Sequence, residues 1–238
     1  MCRREPLKLS KRGYTSWHCP QPGGTIAEEM ALVFDRGRGP RLLVLPALFD
    51  EANKLRRQTV EVMRRLDLSG VDSFLPDFPG CNESAVPLEM QTLAGWRSAA
   101  LAAAAHFRAT HILAIRAGCL LAPPALPGWR YAPTTGARVL RSLLMARTVA
   151  AREAGLAERI GDLAVIARDQ GIDLAGWPIG ATMFSALEQA VANADSQQTL
   201  IDQGDIGGAG LWLRAEPGDE AEQADMLAAL VAMGMLQS

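Results

Sequence analysis

The sequence predicts a doubly wound α/β protein with a mostly parallel central sheet and a helical insertion in its second half. Residues 41–45 are a continuous apolar run after Arg41, the pattern of a strand buried on both faces of a parallel sheet, and 71–75 and 112–115 read as two further buried strands. Each strand is followed by residues of helical character, and strand–helix alternation builds a parallel sheet covered by helices on both sides. Proline and glycine clusters punctuate these units and set their ends.

Residues 15–18 and 31–34 read as two early strands, parted by Pro20, Pro22, Gly23 and Gly24. The apolar strand 41–45 stops at Pro46. Residues 51–66 then place Leu55, Val62, Met63 and Leu66 on one helical face, with charges opposite. Strand 71–75 ends in Pro76-Asp77-Phe78-Pro79-Gly80, an Ala-rich helix covers 88–107, and strand 112–115 leads into a tight turn at Gly118 and a further helix. The helices starting near Glu51, Leu88 and Gly118 are expected to pack on the sheet. After Ala122 the chain is broken by Pro123, Pro124, Pro127 and Gly128, with a short strand at 129–132. Residues 135–154 form a long basic amphipathic helix carrying Arg138, Arg141, Arg147 and Arg152, followed by helices at 160–170 and 180–194. A last strand is expected at 211–214 and a last helix at 221–233.

A chain of 238 residues suits one domain, so residues 1–238 are read as a single unit in which 133–187 form a helical cap. Hydrophobic residues make up 49% and charged residues 21%, enough apolar material for a substantial core. A net charge of −2 argues against nucleic acid as a partner. The basic start of the chain leads into Gly13 and Tyr14 rather than an apolar run, so no signal peptide is expected. The most apolar helical stretch, 99–105, is too short to span a bilayer, and no transmembrane segment is expected. Cys2, Cys19, Cys81 and Cys119 lack metal-ligand spacing. Reduced thiols in a cytoplasmic protein without metal or cofactor are the expectation.

The segment 111–122 reads His-Ile-Leu-Ala-Ile-Arg-Ala-Gly-Cys-Leu-Leu-Ala. A strand, a tight turn and helix formers are the setting of the nucleophile elbow in α/β-hydrolases, which holds a Ser at the carboxyl end of a central strand. Here Ala114-Ile115-Arg116-Ala117-Gly118 puts Arg116 at the nucleophile position. A guanidinium has five donors and no acceptor lone pair, so it cannot attack a carbonyl. The triad of this fold also needs a His on a loop after the last strand, and His18, His106 and His111 all precede Arg116. Ordinary Ser-His-acid catalysis is not expected, and no residue stands out as catalytic.

Residues 46–57, Pro-Ala-Leu-Phe-Asp-Glu-Ala-Asn-Lys-Leu-Arg-Arg, resemble the Pro-Pro-Phe-Ala-Glu-Glu-Met-Asn-Lys-Ser-Arg-Arg segment of the second type of exosortase A system-associated hydrolases. Asp77-Phe78-Pro79-Gly80-Cys81-Asn82-Glu83-Ser84 resembles that family's Asp-Leu-Phe-Gly-Cys-Gly-Asp-Ser turn. Ile115-Arg116-Ala117-Gly118 is similar to its Leu-Arg-Leu-Gly elbow, which also carries Arg at the nucleophile position. Residues 174–187, with Gly176-Trp177 and a closing Ala-Leu, are similar to a segment after the family's cap. The similarity covers roughly residues 14–235 and is weak in the cap and near 196–210. This chain departs from the pattern at Ala114, where the family has Gly. The resemblance implies an α/β-hydrolase fold and a bacterial setting in exopolysaccharide synthesis and the sorting of proteins with a PEP-CTERM tail. It guarantees no activity.

Several residues could carry chemistry at the carboxyl edge of such a sheet. Cys119, three residues past Arg116, reads as a nucleophile activated by the helix start and the guanidinium, or as a small buried residue under the elbow. Cys81 is the more exposed thiol, on the loop after strand 71–75. Arg116 reads either as an anion site backed by helix-start amides or as one half of an ion pair with Asp50, Glu51 or Glu83. Asn53-Lys54 with Arg56-Arg57 open the helix after strand 41–45, where hydrolases place an oxyanion-hole amide, and Ala47 and Leu48 are expected to line the ligand site there. Asn53 is expected to point inward and brace that turn, and with Glu51 these residues complete the expected ligand site around Arg116. Asp77 and Ser84 fit a turn supporting the elbow through bonds to local backbone. The four arginines of 135–154 read as a solvated face or as a basic stripe facing an anionic lipid or sugar.

Two functions of different class follow. One is a hydrolase-fold pseudoenzyme that binds an anionic small molecule or a protein of the exosortase system. The other is an active hydrolase or acyltransferase in which Arg116 polarises a carbonyl while Glu51 or Asp77 activates water, or a Cys attacks. A pocket reaching Arg116 from solvent is a requirement of the second.

Overall fold

The computed structural model describes residues 11–21 and 24–237. Cys2, most of the basic start, Pro22 and Gly23 lie outside the described residues. In chain order the elements are β1 (Lys11–Pro20), β2 (Ile26–Asp35), β3 (Arg41–Leu45), α1 (Asp50–Leu68), β4 (Asp72–Pro76), α2 (Leu93–His106), β5 (His111–Ile115) and β6 (Gly128–Tyr131). They continue as α3 (Gly136–Glu153), α4 (Ile160–Gln170), β7 (Ile172–Leu174), β8 (Trp177–Ile179), α5 (Ala181–Gln189), β9 (Gln198–Ile201), α6 (Gln203–Ile206) and α7 (Ala221–Leu236).

Seven strands form one sheet in the order β1-β2-β4-β3-β5-β6-β9. The β1–β2 and β2–β4 pairs are antiparallel, and every pair from β4 to β9 is parallel. Alternate side chains of the central strands feed two separate cores, as the two-residue period of a strand requires. Leu42, Val44, Leu113 and Ile115 pack with Leu55, Val62, Met63 and Leu66 of α1 and with Leu227 and Val231 of α7. Leu43, Leu45, Ile112 and Ala114 face the other way, onto Trp96, Ala99, Ala100 and Ala103 of α2. Each such Leu or Ile withdrawn from water contributes about 1.5–3 kcal/mol. The small Ala face lets α2 lie close to the sheet, and Thr92 caps it by accepting from the Gly95 amide at 3.0 Å.

Departures from the sequence reading have local causes. β1 and β2 run past 15–18 and 31–34 because only residues 31–34 of β2 are continuously buried, and its outer half is not. Residues 88–107 split into a 3₁₀ turn at Leu88–Met90 and α2, divided by the Thr92 cap. No α-helix follows Gly118. The elbow continues as a single 3₁₀ turn, Arg116–Leu120, which Pro123 and Pro124 cut short. Gly118 is required there, since a Cβ would stand 2.3 Å from the Pro46 carbonyl oxygen. The strand expected at 211–214 is a 3₁₀ turn, Leu211–Leu213, because only Leu211 of that turn is buried and Gly210 precedes it. The helix expected at 180–194 ends at Gln189.

Two features had no sequence signal. β9 reads Gln-Thr-Leu-Ile and buries only its first and last residues. The β7–β8 hairpin turns on Ala175 and Gly176, both at positive φ. The elements α3 to α5 form one insertion between β6 and β9. Among the described residues no helix is long and apolar enough to cross a membrane.

Candidate functional site

The parallel strands bring four chain segments to one sheet edge. Leu45 of β3 pairs level with Ala114 of β5, Ile115 with Tyr131 of β6, and Tyr131 with Ile201 of β9. The segments leaving these strands therefore converge: the one after β5 carries Arg116, and the other three each deliver one group to it. Arg116 opens the elbow turn at φ 54°, a left-handed conformation that strains a residue with a Cβ by about 1–2 kcal/mol. Phe49 (φ 55°) and Ala132 (φ 45°), on neighbouring segments, are strained in the same sense.

From the first turn of α1, Glu51 accepts from Arg116 Nε and Nη2, each at 3.0 Å, in a two-pronged ion pair. From the end of β6, the Ala132 carbonyl accepts from Nη1 at 2.7 Å. From beyond β9, Trp212 lays its ring under the guanidinium, 4.0 Å from ring centre to Cζ. Trp212 meets Tyr131 edge-on at 6.1 Å. Tyr131 hydroxyl bonds Gln203, and burial pushes its phenol up to about 12 even though the Arg116 charge pulls it down. The loop after the last strand, where a hydrolase carries its triad His, thus supplies an aromatic face for a cation.

Of the three carboxylates considered for Arg116, only Glu51 pairs with it. Asp50 bonds Lys54 Nζ at 2.8 Å, and Glu83 is exposed, lining a surface depression with Tyr14 and Arg56. The Arg116 and Glu51 side chains keep 14% and 23% of their surface exposed, at the floor of a cleft of about 340 Å³. Leu48, Phe49, Trp212 and Leu213 line it, together with the more exposed Arg138, Arg141 and Met145 of α3 at its rim. Arg138 and Arg141 are exposed and have no ion-pair partner among the described residues. Arg147 leaves the stripe to pair with Glu158 at 2.6 Å.

The remaining expected residues fall elsewhere. Asn53 is exposed rather than inward, because it sits two positions before buried Leu55, about 200° around the helix. Ala47 is buried and lines a separate apolar cavity with Asp77, Cys81 and Trp177. Asp77 does not bond local backbone. It accepts from Arg56 at 3.2 Å and Asn82 at 2.5 Å, and burial keeps its carboxyl above the usual range despite that guanidinium. Ser84 does brace its loop, accepting from the Gly80 amide at 2.9 Å and donating to Glu29 at 2.9 Å. Cys119 lies under the elbow and donates to the Ala114 carbonyl at 3.3 Å. Burial pushes both Cys119 and Cys81 up to about 12, so neither is a thiolate near neutral pH. Trp212 carried no sequence signal as a site residue, since nothing marks a Trp in a Gly-rich stretch as a partner of a distant Arg.

No family model and no curated protein matches the sequence. Solved structures do resemble it. Mouse alpha/beta hydrolase domain-containing protein 10 aligns over 94% of this chain and 99% of its own, at 10% identity and TM-score 0.56. Est1E from Butyrivibrio proteoclasticus aligns over 93% of this chain and 98% of its own, at 13% identity and TM-score 0.52. A protein from Agrobacterium vitis S4 aligns over 52% of this chain and 54% of its own, at 19% identity and TM-score 0.41, so the chain spans about half of that protein's length. The chain has the α/β-hydrolase fold, and at these identities the likeness speaks for the fold alone.

Proposed function

We propose that this α/β-hydrolase-fold protein performs no Ser-His-acid chemistry and uses the cleft above Arg116 to bind an anionic ligand or partner. The observation that carries this reading is the guanidinium itself, held by Glu51, Ala132 and Trp212 in the place of a nucleophile. The charges around the cleft support it. Glu51 neutralises Arg116 and Lys54 neutralises Asp50, which leaves Arg138 and Arg141 uncompensated at the rim. The alternative, a hydrolase or acyltransferase built on Arg116, has less support. Both oxygens of Glu51 are already engaged, and Asp77 lines the other cavity.

The setting we propose is the exosortase and exopolysaccharide system, on the strength of the resemblance at residues 46–57, 77–84 and 115–118. In this reading the protein works in the cytoplasm, and the insertion (read from sequence as 133–187) is a cap over the cleft. Calorimetric titration with inorganic phosphate at low salt tests the binding site. Saturable binding that Arg138→Glu/Arg141→Glu abolishes is expected, and no binding, or binding indifferent to that change, overturns it. Disrupting the gene tests the setting, which fails if exopolysaccharide and PEP-CTERM processing are both unchanged.

A further inference from the structure

The mouth of the cleft is apolar as well as basic, with Met145 and Leu213 among its lining beside Arg138 and Arg141. Met145, half exposed at 50%, stands on the rim beside Arg138 and Arg141. Leu213, which also lines the cleft, is 76% exposed although it follows a residue that stacks on Arg116. On α3 the arc opposite the buried face holds Arg138, Arg141, Met145, Val149 and Arg152, all exposed, as their three- and four-residue spacing dictates. Large exposed apolar side chains cost hydration free energy unless something covers them, and one grouped around unpaired cations invites an amphiphile.

We infer that the cleft takes an anionic amphiphile, a carboxylate or phosphate head joined to an extended apolar chain. The head pairs with Arg138 and Arg141, which have no carboxylate of their own. The chain lies between Met145 and the Trp212–Leu213 turn, whose indole is held by the Arg116 cation stacked on it. Arg116 acts here as a positioning residue that holds the aromatic wall, since three of its N–H groups are committed to protein acceptors. The inference rests on the anion-binding reading and adds to it the chemical class of the rest of the ligand.

The test compares dodecyl phosphate below its micellar concentration with inorganic phosphate, and laurate with acetate, by calorimetry on the full chain. Dodecyl phosphate is expected to bind at least about tenfold more tightly than phosphate, a difference of about 1.4 kcal/mol. Leu213→Ser is expected to erase that gain while leaving phosphate binding in place. Arg138→Glu/Arg141→Glu should weaken both probes at least about tenfold, with circular dichroism showing an unchanged fold. Equal affinity for dodecyl phosphate and phosphate overturns the amphiphile while leaving the anion site standing. No binding of either probe overturns the anion site itself. Binding to phosphatidylglycerol vesicles with none to monomeric dodecyl phosphate or laurate also overturns the inference, because it places the contact on a lipid surface instead of in the cleft.

Discussion

Arg116, on the elbow turn, and Glu51, in the first turn of α1, face each other as a two-pronged ion pair with both bonds at 3.0 Å. The pair joins the two segments that in a hydrolase of this fold supply the nucleophile and an oxyanion-hole amide. Arg116→Ala leaves Glu51 without its cation in a partly buried place and removes the bond to Ala132. A loss of about 2–4 kcal/mol in urea unfolding is expected. Arg116→Gly is expected to lose about 1 kcal/mol less, because φ 54° suits a residue without a Cβ. Equal losses in the two variants would show that backbone strain at residue 116 is not released.

Glu51→Gln separates stability from binding. It frees the Arg116 guanidinium and adds a positive charge to the cleft floor. Phosphate affinity should rise several-fold while the melting temperature falls. A fall in both would mean that Glu51 shapes the site in some way other than through its charge.

Most of the parallel sheet was legible because β3 and β5 are apolar after their first residue, and β4, despite Asp72 and Ser73, ends in Phe-Leu before a proline-rich turn. Arg116 at the elbow and Glu51 among its candidate partners were legible too, since adjacent strands carry their following segments to one edge. What lay beyond the sequence was tertiary. β9 is half polar, so no run marks it, and with β9 unplaced the position of Trp212 could not be inferred. Asn53 was misjudged by one helical phase, and Asp77 finds side chains rather than the local backbone that its turn offered.

Acid–base behaviour gives a third prediction. Glu29 is 1% exposed, and burial pushes its carboxyl above the ordinary range, with the Ser84 bond pulling it down and the Asp77 charge pushing it further up. The folded protein therefore holds this proton more tightly than the unfolded chain does. The stabilisation is complete below a pH of about 4 and is lost as pH rises through the raised pKa. In urea melts, Glu29→Gln should gain stability relative to wild type as pH climbs from about 4 to 8. A difference that is flat or that runs the other way contradicts the shift.

The thiols supply a fourth. Burial pushes Cys19, Cys81 and Cys119 up to about 12, opposed at Cys119 by the charges of Arg130 and Arg116. In a Cys2→Ser background, the native protein should show no fast reaction with a disulfide reagent at pH 8, and all three thiols should react once urea unfolds the chain. Rapid native labelling of Cys81 or Cys119 would revive a cysteine nucleophile.

The most direct measurement is labelling by a fluorophosphonate, run beside nitrophenyl-ester turnover, on the wild-type protein and on Arg116→Ser. The account predicts no labelling and no turnover above background in either, because Arg116 holds the elbow and no His follows it to act as base for a serine placed there. Labelling of the wild type at any serine, or turnover gained by Arg116→Ser, at rates typical of esterases would contradict it.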